Sequence, residues 1–188
     1  DHFSWIDDGS WEISIKSHKD TMASDITIKK EQLGLEIHFQ DVVYNEKNIF
    51  IREITVKNNF ERKRLVKFFF NQQFNISLTK TGDTAYYDPV DNVVIHYKGR
   101  RVFLINAKSK TFGISSYSVG LLGIEGKDGT YMDAQEDGIL SKNAVEHGQV
   151  DSTIQIDIEV ESSDSSVFHY WITVAKSILK SKQLNELV

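Results

Sequence analysis

The sequence predicts an all-β chain, a large antiparallel β-sandwich that ends in a short helix. Three features point there. Apolar and polar residues alternate with period two through most of the chain, the pattern of strands with one buried face. Short polar or glycine-containing turns separate the runs. Apolar residues fall at helical spacing convincingly only in residues 176–188. Many strands, short turns and almost no helix leave a sandwich or a barrel, and several long runs favour two facing sheets.

The elements follow in order. Phe3-Ser4-Trp5-Ile6 reads as a strand already under way. Trp11, Ile13 and Ile15 then alternate with Glu12, Ser14 and Lys16, which predicts a strand burying its apolar side. Leu33, Leu35, Ile37 and Phe39 repeat the pattern against Gly34, Glu36, His38 and Gln40. From Arg64 to Ile76, Val66, Phe68, Phe70, Phe74 and Ile76 share one face, broken only by Gln72. Residues 92–98 and 100–106 alternate on either side of Lys98-Gly99, a tight-turn signal. Ile154, Ile156, Ile158 and Val160 alternate with Gln155, Asp157, Glu159 and Glu161. In the last run, Phe168, Tyr170, Ile172 and Val174 alternate with His169, Trp171 and Thr173, so this strand is expected to be covered on both faces.

Two regions break the pattern. Residues 113–148 are glycine-rich and read as a long irregular excursion, which in a compact domain is usually functional, interfacial or mobile. Residues 176–188, KSILKSKQLNELV, bring Ile178, Leu179, Leu184, Leu187 and Val188 round at helical spacing. This is the one helix expected, and it ends without a capping signal.

Composition excludes several classes of function. At 188 residues the chain buries a core without staples, and it has no cysteine, so disulfides and thiolate metal sites are ruled out. That fits a reducing cytoplasm. A net charge of −5 disfavours a nucleic-acid partner, and no apolar run approaches the roughly 20 residues that span a bilayer. The six histidines (2, 18, 38, 96, 147 and 169) stand too far apart to form a local metal pair, and no cofactor is expected.

Chemistry centres on two segments. In Tyr86-Tyr87-Asp88-Pro89, proline lacks an N–H and suits a strand edge, and the aspartate before it can cap a turn. A hairpin corner explains the motif, while sugar stacking on Tyr86 or Tyr87 is the functional alternative. In the excursion, Tyr131, Asp133, Glu136 and Asp137 crowd together, with Glu125 and Asp128 nearby. Glycosidases use two carboxylates roughly 5–9.5 Å apart, one of them held protonated by its surroundings, which a polar surface loop does not provide. The spacing does not match a calcium loop either. Trp5, Trp11 and Trp171 raise a sugar-stacking platform, against the commoner use of strand tryptophans in packing. A Gly-x-Ser-x-Gly elbow is absent, and Gly126-Lys127 lacks the rest of a phosphate loop.

Four ordered stretches carry a family resemblance: FSWIDDGSWEI, GDTAYYDPVDNVVIHYKGRRVFLIN, DGTYMDAQEDGILSKNAVEHGQVDST and FHYWITVAKSI. Together they resemble the N-terminal domain of prokaryotic glycoside hydrolase family 15 proteins, the glucoamylase-like group. The resemblance implies a "supersandwich" over residues 1–175 and the start of a helical linker over 176–188. It further implies that the family's first strands would precede Asp1 and that a catalytic (α/α)6 barrel would follow Val188. That barrel holds the family's paired glutamates, so no residue here is expected to be catalytic. Tyr86, Tyr87, Asp88, Tyr131, Asp133, Glu136 and Asp137 are then candidates for contact with the barrel or with an α-linked oligosaccharide. The rival readings are an autonomous carbohydrate-binding module, a self-contained enzyme using the acidic segment, and the sandwich of a glycoside phosphorylase or trehalase.

Overall fold

The computed structural model describes residues 2–17, 19–78 and 82–188, so His18 lies outside the described residues. Strands β1 (Glu12–Ser17), β2 (Ala23–Lys30), β3 (Leu35–Tyr44) and β4 (Ile49–Asn58) form one meander. After β5 (Arg64–Gln73), strands β6 (Asp83–Asp88), β7 (Val93–Lys98) and β8 (Arg101–Ser109) form a second. Next come β9 (Ser116–Ile124), β10 (Lys127–Asp128), helix α1 (Thr130–Asp137) and β11 (Val145–Gly148). β12 (Val150–Val160), β13 (Ser165–Ala175) and helix α2 (Ile178–Asn185) complete the chain.

Among the described residues these strands make two antiparallel sheets, one of nine strands and one of four. β13 joins the two meanders: it lies between β4 and β8, with Phe168 opposite Ile54 and Ser109. In the smaller sheet β12 lies between β9 and β5 and sets Ile154 opposite Tyr117 and Phe70.

The alternation read in the sequence builds the core. Ile154, Ile156, Ile158 and Val160 are buried, and they meet Phe68, Phe70, Phe168 and Tyr170 between the sheets. Phe70 stacks on Tyr170 at 4.6 Å and Phe68 meets Phe168 at 5.1 Å. Fully burying each such side chain stabilises by roughly 1.5–3 kcal/mol. β13 is covered on both faces, as its sequence predicts: Phe168 and Tyr170 point into the core, and Trp171 and Thr173 are buried beneath α2.

Where the chain changes sheets, Asn58 holds it. Its side-chain amide donates to the carbonyls of Arg62 and Glu161, and its oxygen accepts from Phe60 N, tying the β4–β5 and β12–β13 connections together. Gly34 sits beside them at φ +59°, and a Cβ there would lie 2.5 Å from the Phe60 ring. Only glycine meets both demands.

Three expectations need correction. Residues 2–10 are irregular rather than a strand. β1 buries no apolar face: Ile13 and Ile15 pair with Ile28 and Ile26 but are 51% and 68% exposed. The larger sheet is wider than the smaller one, so this edge strand lies beyond the facing layer. Residues 113–148 are largely ordered into β9, β10, α1 and β11. Their last part joins the two sheets, since Lys142 and Asn143 bond to β9 while Tyr87 N donates to Ala144 O.

Candidate functional site

The Tyr86–Pro89 motif forms the corner of the β6–β7 hairpin. Asp88 pairs with Val93, and its Oδ1 accepts from Val90 N at 2.9 Å, the turn-capping role its place before proline predicts. The other carboxylate oxygen faces α2. Lys182 Nζ donates to Asp88 Oδ2 at 2.5 Å and lies 2.7 Å from Asp91 Oδ2. The lysine's hydrogen bond holds the Asp88 carboxyl below its ordinary pKa, and the two carboxylates raise that of Lys182.

The neighbouring tyrosines part company, because adjacent strand residues face opposite ways. Tyr86 packs on the outer side with Val93, Ile95, Tyr97 and Ile178 of α2. Tyr87 turns inward, stacks on Tyr117 at 3.6 Å and donates to Asn92 Oδ1 at 2.8 Å. Burial pushes both phenols' pKa values up. Tyr87 therefore presents no open stacking face on its Tyr117 side.

The acidic segment is a helix, α1, which the sequence reading places in a loop. It shows no apolar stripe, only Thr130 and Ala134 are buried, and its N-cap is Gly129, with no side-chain cap. Tertiary hydrogen bonds fix its start instead: Asp151 Oδ2 accepts from Thr130 N at 2.7 Å, Thr130 Oγ1 at 2.9 Å and Asn71 Nδ2 at 2.8 Å. Burial raises the Asp151 carboxyl's pKa. Asp133 accepts from Ser141 N and Asp137 from Ile139 N, so both shape the loop after the helix. Tyr131 meets Trp5 edge-on, Trp5 Nε1 donates to Gln135 Oε1, and Glu136 is exposed.

These two groups of candidates lie on opposite sides of the molecule. α1 rests on the outer face of the smaller sheet, through Asn71, Asp151 and Thr153, and α2 on the outer face of the larger one, through Trp171 and Thr173. The tryptophans also separate: Trp171 is beneath α2, Trp5 is beside α1, and Trp11 packs on the core. They form no common platform. Among the described residues no three His, Asp or Glu side chains converge on a metal position.

One polar constellation escaped the sequence reading. His96 Nε2 lies 2.8 Å from Ser152 Oγ, which donates to Gln72 Oε1 at 2.9 Å, and Gln72 Nε2 is 3.4 Å from Tyr170 OH. A serine–histidine contact is the geometry of an activated nucleophile. Here both partners are fully buried between the sheets, so the set serves the core. Burial pulls His96 down to about 3 and pushes Tyr170 up to about 12. Gln72 breaking an otherwise apolar face was the one signal visible in the sequence.

No family model matches the chain. Its β-sandwich superposes on a crystal structure of a bacterial glucoamylase complexed with acarbose, with a TM-score of 0.74 and 12% identity. The fit takes in 95% of this chain and 26% of that one. The fold is shared with part of a glucoamylase. A protein from Synechocystis sp. has a similar fold at a TM-score of 0.52 and 9% identity, over 89% of this chain and 66% of that one. In sequence, an uncharacterised glycosyl hydrolase of Methanocaldococcus jannaschii is 26% identical over 169 residues, 89% of this chain. This chain spans about a quarter of that relative's length, 26%. At these identities the solved structures show the fold alone. No helix among the described residues is long and apolar enough to cross a membrane.

Proposed function

We propose that this chain is a non-catalytic supersandwich domain of a glucoamylase-type glycoside hydrolase acting on α-linked gluco-oligosaccharides. In this reading residues 1–175 support a catalytic (α/α)6 barrel of the same cytoplasmic polypeptide, and residues 176–188 begin the linker to it. The observation that carries it is the pair of matches. Nearly all of this chain corresponds to about a quarter of a glycosyl hydrolase in sequence, 26%, and to about a quarter of a glucoamylase in fold, again 26%.

The geometry supports a scaffold. Asp133 and Asp137 of α1 bond to the loop that follows it, Tyr87 is stacked inside, and the serine–histidine contact is sealed in the core. Meanwhile α2 is held rigidly, by Lys182 at the hairpin corner and by Asn185, which accepts from Trp171 and Asn106. A rigid sheet that fixes a linker's direction fixes what the linker carries.

The test is glucose release from maltotriose by the purified chain, alone and joined to the polypeptide encoded after it. The isolated chain is expected to be inactive and the joined protein active. Turnover by the chain alone, lost in Asp133→Asn or Glu136→Gln, overturns the reading. Saturable binding of the isolated chain to starch or dextran would make it a binding module instead.

A further inference from the structure

Between the β3–β4 turn, the β7–β8 turn and the start of α2 lies a groove of about 700 Å³. Phe103, Val174 and Leu184 give it an apolar lining. Lys47, Arg100, Arg101, Lys176 and Lys180 line it too, against one carboxylate, Glu46. In a chain of net charge −5 this concentration is not a by-product of composition.

Among the described residues no ion pair neutralises it. Lys30, Arg52, Lys98 and Lys182 each pair with an aspartate, and Lys29 and Lys63 with glutamates. None of the five groove cations forms such a pair among the described residues. Arg101 donates to Ser77 Oγ and Lys180 to Gln183 Oε1, neutral partners that leave the charge in place. Lys176 precedes the Ser177 N-cap of α2 and Lys180 lies in the first turn, which holds no acidic residue. A cation in the first turn opposes the helix dipole, so Lys180 weakens the helix locally. Departures from local stability rules are expected at functional sites.

We propose that this groove binds a small organic anion, a carboxylate or phosphate joined to an apolar body. Unpaired cations over an apolar, low-dielectric wall focus a positive potential. The guanidinium fork of Arg100 or Arg101 matches carboxylate and phosphate oxygens, and the apolar lining accepts the ligand's body. The volume falls within the roughly 300–1,000 Å³ usual for small-ligand sites. The site does not depend on the function proposed above.

The test is a titration of the ¹⁵N-labelled chain with phenyl phosphate, inorganic phosphate and phenol, followed by amide shifts. Phenyl phosphate is expected to shift residues 100–103 and 174–180 saturably, about tenfold more tightly than inorganic phosphate, since each 1.4 kcal/mol of apolar contact gives that factor. Binding should weaken as salt shortens the screening length, and phenol alone should shift nothing. Arg100→Glu with Lys176→Glu should abolish the response, while Lys108→Glu, outside the groove, preserves it. All these side chains are exposed, and unchanged circular dichroism checks the fold; Arg100→Gln serves if the double variant unfolds. No saturable shift at roughly 10 mM, equal affinity for inorganic phosphate, or unaltered binding by the variants overturns the proposal.

Discussion

Lys182 Nζ donates to Asp88 Oδ2 at 2.5 Å and stands 2.7 Å from Asp91 Oδ2, so one side chain of α2 closes the β6–β7 corner. Both side chains of the shorter contact are mostly buried, 28% exposed for Lys182 and 13% for Asp88. Removing the lysine strands a poorly solvated carboxylate. Lys182→Met should cost about 1–3 kcal/mol, which lowers the melting temperature by roughly 2–4 °C per kcal/mol for a chain of this size. Asp91→Asn should cost less, because Asp88 keeps its donor. Calorimetry on both variants checks the order.

His96 makes the fold acid-sensitive. Its folded pKa, about 3, is depressed from 6.5, so the unfolded chain takes up the proton first. Stability is then complete above pH 6.5 and declines as pH falls toward 3, by at most about 5 kcal/mol from this group. Urea midpoints at pH 7, 5 and 4 should fall in that order. His96→Leu should flatten the dependence, at a cost at pH 7 because Ser152 Oγ loses its contact with the imidazole while keeping Gln72.

Gly34 carries two constraints at once. Gly34→Ala should cost about 2 kcal/mol or more, because alanine meets both the left-handed backbone and the Phe60 ring. Shortening the ring with Phe60→Leu in the same chain should recover only part, since φ stays at +59°. Full recovery in denaturant melts would mean that the clash alone matters.

Thr130 and Asp151 hold α1 on the sheet. Thr130→Val removes the hydroxyl that donates to Asp151 and meets Thr153, leaving Thr130 N and Asn71 as donors, and should cost about 1–2 kcal/mol. Amide exchange should accelerate in residues 130–137 well before it does in β12, which lies in the centre of its sheet.

Much of the architecture was legible because strands with one buried face record that burial every second residue. Residues 154–160 and 92–106 read directly into β12 and the β7–β8 hairpin, and 64–76 into β5, which stops short at Gln73. The same rule misled at β1, where Ile13 and Ile15 alternate with no layer opposite them. α1 escaped because its helical state rests on Asp151 and Asn71, distant in the chain, rather than on an apolar stripe. The candidate residues were legible as residue types but not as a site: alternation along β6 sends Tyr87 inward and Tyr86 outward, and the sandwich sets α1 and α2 on opposite faces.

By itself the sequence determined the all-β class, the terminal helix and most of the core, since backbone periodicity and turn chemistry are local properties. Only the tertiary structure decided the partners: Asp88 with Lys182, His96 with Ser152, and five cations gathered around one groove. Such contacts join residues far apart in the chain, and their energies depend on burial and distance, which exist only once the two sheets have closed on each other.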